Sequence, residues 1–193
     1  MHEHFQLAAT GVPCTMGIHP WYIHDAAAQL AELEQYAHLP HVLAVGECGL
    51  DKVCDTSFPL QLSVFRQQVR LAARLHKPLI IHCVRAFHEL VVALMEEKVS
   101  VPVIIHGFNK KGAVAQLLLA QGYYLSFGAA IFNGRLPAAA ILSSVPAHKF
   151  FLETDDAEYT IEEIYSKAAA IRNTTPEAII LQVQQNFKNV FYI

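Results

Sequence analysis

Val42-Leu43-Ala44-Val45-Gly46-Glu47 is a short apolar run closed by a carboxylate, and the same arrangement recurs along the chain. Pro78-Leu79-Ile80-Ile81 is followed by His82, Val103-Ile104-Ile105 by His106, and Phe150-Phe151-Leu152-Glu153-Thr154 by Asp155. A further run, Met16-Gly17-Ile18, is followed by His19. These runs lack strict alternation, and most are rich in β-branched or aromatic residues. A parallel strand buried on both faces reads this way. The pattern predicts strands over 15–18, 42–45, 78–81, 101–105, 123–127 and 149–152. Pro78 and Pro102 open two of them, where a missing N–H costs least.

Amphipathic helices are expected between the strands. Segment 59–76 lines up Leu62, Phe65, Val69 and Ala72, with Arg66, Arg70 and Arg74 on another, solvated face. Segment 86–97 groups Phe87, Leu90, Val91 and Leu94. Segment 112–121 ends at Gly122, a C′ position. Thr175-Pro176-Glu177 supplies an N-cap, a proline at N1 and an acid in the first turn of a last helix. Strand–helix alternation implies an α/β protein with a parallel sheet. The carboxyl ends of parallel strands face one way, and active sites lie there. Glu47, His82, His106 and Asp155 are therefore expected to converge. Glu47, His82 and His106 lie about one β-α unit apart and Asp155 two units further on, a spacing that favours a sheet closed into a barrel. Imidazole with carboxylate suits zinc, manganese or iron, and with more oxygen magnesium.

At 193 residues the chain fits one domain, slightly below the roughly 200 residues of a full (β/α)8 barrel. It is 53% hydrophobic and 16% charged, which excludes intrinsic disorder and implies a large core. Its net charge of -3 argues against extended binding along a nucleic-acid duplex, although metal ions can offset the charge of a small phosphate ester. Cys14, Cys48, Cys54 and Cys83 form no C-x-x-C pair and read as reduced thiols of a cytoplasmic protein. No signal peptide or membrane-spanning run is read. His24, His38, His41, His76, His88 and His148 are expected at the surface, and Cys48 and Cys83 are expected to pack.

Gly17-Ile18-His19-Pro20, Gly46-Glu47-Cys48-Gly49-Leu50-Asp51, Ile81-His82, Ile105-His106-Gly107-Phe108 and Leu152-Glu153-Thr154-Asp155 stand in an order that resembles the TatD-like metal-dependent hydrolases. Gln185-Asn186-Phe187-Lys188-Asn189-Val190-Phe191 is similar to that family's closing helix. The resemblance implies a TIM-like (β/α) barrel of the amidohydrolase type and a divalent-metal site with one or two ions. It implies that Glu47 bridges two metals, that His82 and His106 bind one, and that Asp155 binds the other and helps activate water. It also implies hydrolysis of ester bonds, most simply phosphodiester bonds as in the family's deoxyribonucleases. The expected substrate is a small phosphate ester or a single-stranded DNA end.

The family's first strand carries an aspartate-x-His-x-His motif. His2-Glu3-His4 has the H-x-H spacing but no apolar strand before it. Two readings stay open. His2 and His4 ligate a metal, or the barrel is shortened at its N-terminus and one metal position is impaired. A shortened barrel would expose apolar core, a surface suited to a second copy of the chain. Arg85 is a candidate phosphate clamp, since guanidinium matches phosphate bidentately. His19 is a candidate substrate contact, and Glu153 is expected to hydrogen-bond within the barrel rather than to catalyse. Two rival functions remain at this point: a non-catalytic relative with an incomplete metal site, and a metal-dependent amidohydrolase or lactonase acting on a small molecule.

Overall fold

A computed structural model describes residues 11–191; His2 and His4 lie outside them. All six expected strands are present: β1 (Cys14–Met16), β2 (Val42–Asp51), β3 (Leu79–Val84), β4 (Val103–Ile105), β5 (Tyr124–Phe127) and β6 (Phe150–Leu152). The helices are α1 (Ala26–Tyr36), α2 (Phe58–Leu75), α3 (Phe87–Glu96), α4 (Gly112–Ala120), α5 (Ala138–Ser144), α6 (Ile161–Ile171) and α7 (Pro176–Phe191). The chain divides into two units, one ending at Val103 and the other beginning at Ile104. Among the described residues no helix is long and apolar enough to cross a membrane.

In the first unit β1, β2 and β3 pair in that order, all parallel. The side chains of Leu33, Leu50, Phe65, Leu79, Ile81, Leu90 and Leu94 are buried there. Burial of each is worth about 1.5–3 kcal/mol. β2 runs well past the expected Val45 and does not end at Glu47. Gly46 and Gly49 both lie inside the strand. Val45 faces Leu79 while Cys48 faces Ile81, so the register slips at Gly46–Glu47. That irregularity frees Glu47 from the alternation and leaves it half-buried between buried neighbours, as bulges near active sites do. His82 likewise lies inside β3, paired with Gly49.

Two buried glutamines on one face of α2 grip the strand ends beside it. Gln68 accepts from the Ile18 N–H at 2.7 Å and donates to the Ile18 carbonyl at 3.1 Å. Gln61 accepts from the Asp51 N–H at 2.7 Å and donates to the Asp51 carbonyl at 2.9 Å. Each amide replaces a missing strand neighbour and satisfies backbone groups that burial would otherwise penalise.

The arginines of α2 are not simply solvated. Arg66 pairs with Glu96 and Glu97, Arg70 with Glu97, and Arg74 with Glu34. α3 ends in consecutive carboxylates that lie against this face. The Glu97 side chain is only 9% exposed and takes both nitrogens of the Arg70 fork, at 2.6 and 2.7 Å. The four cysteines form no disulfide.

In the second unit β4, β5 and β6 are again parallel and in order. Phe108 and Phe127 meet edge to face at 5.9 Å in its core. Asn186 of α7 is buried and donates to the carbonyls of Ala147 and Phe150, holding the start of β6. α4 is followed by Gly122 at φ 81°, the expected left-handed C′ position. Thr175 caps α7 by accepting from the Ala178 N–H at 3.3 Å.

Gly49 adopts φ 149°, and a Cβ there would stand 1.9 Å from the His82 carbonyl oxygen. Gly49→Ala is expected to destabilise the chain by at least about 3 kcal/mol, from backbone strain plus overpacking, measured by urea unfolding. The Arg70 hydrogen bonds hold the Glu97 carboxyl below the usual range against an opposing push from burial, with Arg66 adding to the lowering. Its stabilisation is therefore complete above the unfolded value of about 4.3 and is lost as pH falls through the lower folded value. Glu97→Gln should be less stable at pH 6 and lose less on acidification to pH 3, read from urea midpoints at each pH.

Candidate functional site

The turn after β1 and the strands β2 and β3 bring His19, Glu47 and His82 together. Each offers a ligand atom, and these atoms lie within 4.8 Å of one another. All three residues are half-buried. Two imidazoles and a carboxylate form a donor set suited to zinc, manganese or iron. His19 is held by its own turn: its Nδ1 accepts from the Trp21 N–H at 3.2 Å, and Pro20 starts a single 3-10 turn. Its ring centroid lies 4.4 Å from that of His82.

His82 is oriented from behind. Its Nε2 is 3.0 Å from Oδ2 of Asp51, a residue buried at the end of β2. The same Oδ2 accepts from Trp21 Nε1 at 2.6 Å, and Oδ1 accepts from the Val53 N–H at 2.7 Å. Burial pushes the Asp51 carboxyl up, but the hydrogen bonds from Trp21, His82 and Val53 outweigh it and hold the group below its ordinary value. An ionised carboxylate only accepts, so the His82 Nε2 carries the proton of this hydrogen bond and Nδ1 lies outside it. A carboxylate behind a ligating histidine is the usual support for a metal site. The residues present fit a divalent ion.

A cavity of about 820 Å³ opens at this place, lined by His19, Trp21, Tyr22, Gly46 and Glu47 among others. That volume lies within the range of ligand pockets. Cys48 next to Glu47 is fully buried, and burial, then the Glu47 charge, push its thiol far up. It packs as a neutral thiol. Cys83 is buried as well. Of the six histidines expected at the surface, five are exposed and His41 is half-buried.

The second unit gathers its own group at the ends of β4 and β6. His106 Nδ1 lies 3.0 Å from Glu153 Oε1, and its Nε2 lies 3.5 Å from Asp155 Oδ2. Glu153 also accepts from the Gly107 N–H at 2.8 Å and from the Ser126 hydroxyl. Glu153 thus hydrogen-bonds with residues of the same unit. Asp155 has a φ of 51° and a side chain 54% exposed. Arg85 follows β3, is exposed, and has no acidic partner among the described residues.

Residues 2–192 match the sequence pattern of a family described as TatD related DNase. An uncharacterized metal-dependent hydrolase of Buchnera aphidicola is 27% identical over 191 residues, covering 91% of this chain and 72% of that protein. A 3'-5' ssDNA/RNA exonuclease TatD of Edwardsiella piscicida is 34% identical over 168 residues, covering 82% of this chain and 63% of that protein. The chain thus spans less than two-thirds of the exonuclease's length. Among solved structures, YjjV, a TatD homolog from Escherichia coli, superposes with a TM-score of 0.91 at 22% identity, covering all of this chain and 83% of that one. This likeness establishes the fold as the α/β, TIM-like type.

Asp51→Asn keeps an acceptor but loses the charge that fixes the His82 proton. It is expected to weaken metal binding about 10- to 100-fold, measured by competition with a chromophoric chelator.

Proposed function

Since this chain belongs to the TatD-related DNase family, we propose that it is a divalent-metal-dependent hydrolase acting on phosphodiester bonds. The observation that supports this best is the donor group His19–Glu47–His82, with ionised Asp51 behind His82. A buried carboxylate that holds one imidazole beside a second imidazole and the Glu47 carboxylate has the form of a metal-ligand support.

In this reading Glu47 and His82 hold metal in the first unit, and His106 and Asp155 take part in the second. A bound divalent ion supplies a low-pKa water and positive charge for the phosphate oxygens. Asp155 accepts a proton at its exposed carboxylate as general base. Glu153 keeps His106 oriented through Nδ1. Asp51 holds His82 in place by accepting from its Nε2–H. Arg85, with no acidic partner among the described residues, is available to a substrate phosphate. The substrate class proposed is single-stranded DNA or RNA ends, the class that the name of the Edwardsiella relative states for that protein.

Metal-loaded protein should shorten single-stranded DNA, and chelator should abolish the activity. Glu47→Ala and Asp155→Ala should each lower turnover by about a hundredfold or more. Turnover that survives both substitutions, with folding verified by circular dichroism, would sink the assignment.

A further inference from the structure

We propose that Trp21 is a nucleobase-stacking residue, through which the chain selects unpaired nucleic acid over phosphate esters that lack a base. The inference rests on the hydrolase reading above for where the chemistry occurs.

Trp21 is 54% exposed and its neighbour Tyr22 is 62% exposed. A half-exposed tryptophan forgoes much of its burial free energy, so core packing does not account for it. Nor is the ring loosely held. Its Nε1–H is bonded to the buried Asp51 carboxylate, and its backbone N–H is bonded to His19. A ring fixed before binding loses little freedom when a ligand stacks on it.

Its place is equally specific. The ring lies 5.7 Å from that of His82 and 5.1 Å from that of His19, two of the three metal donors. Its contacts with His82, His19 and Tyr22 are all steeply inclined, at 75°, 87° and 74°. None of these rings lies parallel to it, as a stacked base would. Trp21 lines the cavity that also contains His19 and Glu47, and a second one of about 340 Å³ with Asp51, Val53 and Cys54. The residue therefore borders two cavities. A phosphate held at His82 carries its own base, or the adjoining one, to this ring.

Stacking on an indole is available to every base because every base has a π-face, so the contact tolerates any sequence. It requires the base to be unpaired and accessible. With a net charge of -3 the chain draws little on long-range attraction for nucleic acid, and a short-range ring contact suits that balance.

Trp21 is the chain's one tryptophan, so its fluorescence reports on this ring alone. In chelator, where no bond is broken, a short single-stranded DNA should quench the emission saturably. An oligonucleotide of the same length with abasic residues should not. With metal present, wild-type kcat/KM should favour the intact strand over the abasic one by about 10- to 100-fold. Trp21→Ala should bring that ratio to about one, while Trp21→Phe, which keeps a ring but loses the bond to Asp51, should retain most of the preference. Absence of quenching by the intact strand would overturn the proposal, as would an unchanged ratio in Trp21→Ala. If the metal-loaded protein cleaves neither oligonucleotide, the hydrolase reading fails, and the quenching comparison still decides whether Trp21 stacks bases.

Discussion

The carboxylate of Asp51 is the interaction on which the first unit's site depends. It is buried, ionised and accepts from three donors from three places in the chain: the turn after β1, the segment just beyond β2, and β3. A buried charge is costly unless every acceptor position is used. Here the requirement to satisfy it also sets the proton on His82 and the tilt of Trp21. Local structure and chemistry are thus joined at one side chain. The carboxylate is stable only where these donors converge, and the donors are in place only while it stays charged.

The backbone around it is arranged to the same end. β2 continues past Glu47 because two glycines let it run close against β3, with the irregularity at Gly46–Glu47 turning the Glu47 side chain out of the core. The strand therefore serves two tasks a few residues apart. It exposes one carboxylate to the cavity and buries another behind the histidine. In the second unit Glu153 and His106 repeat the theme on other strands, with an orienting carboxylate satisfied by a backbone N–H and a hydroxyl.

Much of this was legible in the sequence. The six strands and the helices α2, α3, α4 and α7 followed from apolar runs and capping residues. Grouping metal-capable residues after those runs pointed to Glu47, His82, His106 and Asp155, and gave Glu153 its supporting part. Asp51 stands out in the sequence only as the last residue of the Gly46–Asp51 motif, because the apolar run stops at Val45 and nothing in the spacing places Asp51 behind His82. His19 was read as a substrate contact, and its ring stands 4.4 Å from that of His82, a proximity that chain spacing does not express. Gln61 and Gln68 were hidden because polar residues are scored as surface in an amphipathic pattern. α1 buries only Gln29 and Leu33, too narrow a stripe to show. α6 did carry a readable signal, the capping box of Thr160 and Glu163. The arginine face of α2 looked solvated because its carboxylate partners come from distant parts of the sequence.

The two glutamines of α2 have an effect on how binding is recorded by the molecule. They tie the backbone at Ile18, beside His19, and at Asp51, behind His82, to a single helix. A ligand that immobilises His19 and His82 therefore also resists the unravelling of α2, and by mutual linkage anything that loosens α2 lowers affinity at the cavity. Occupancy of the cavity and persistence of a helix that never touches the ligand become two readings of one equilibrium. A change on the outer surface of α2 thereby acquires a route into the chemistry.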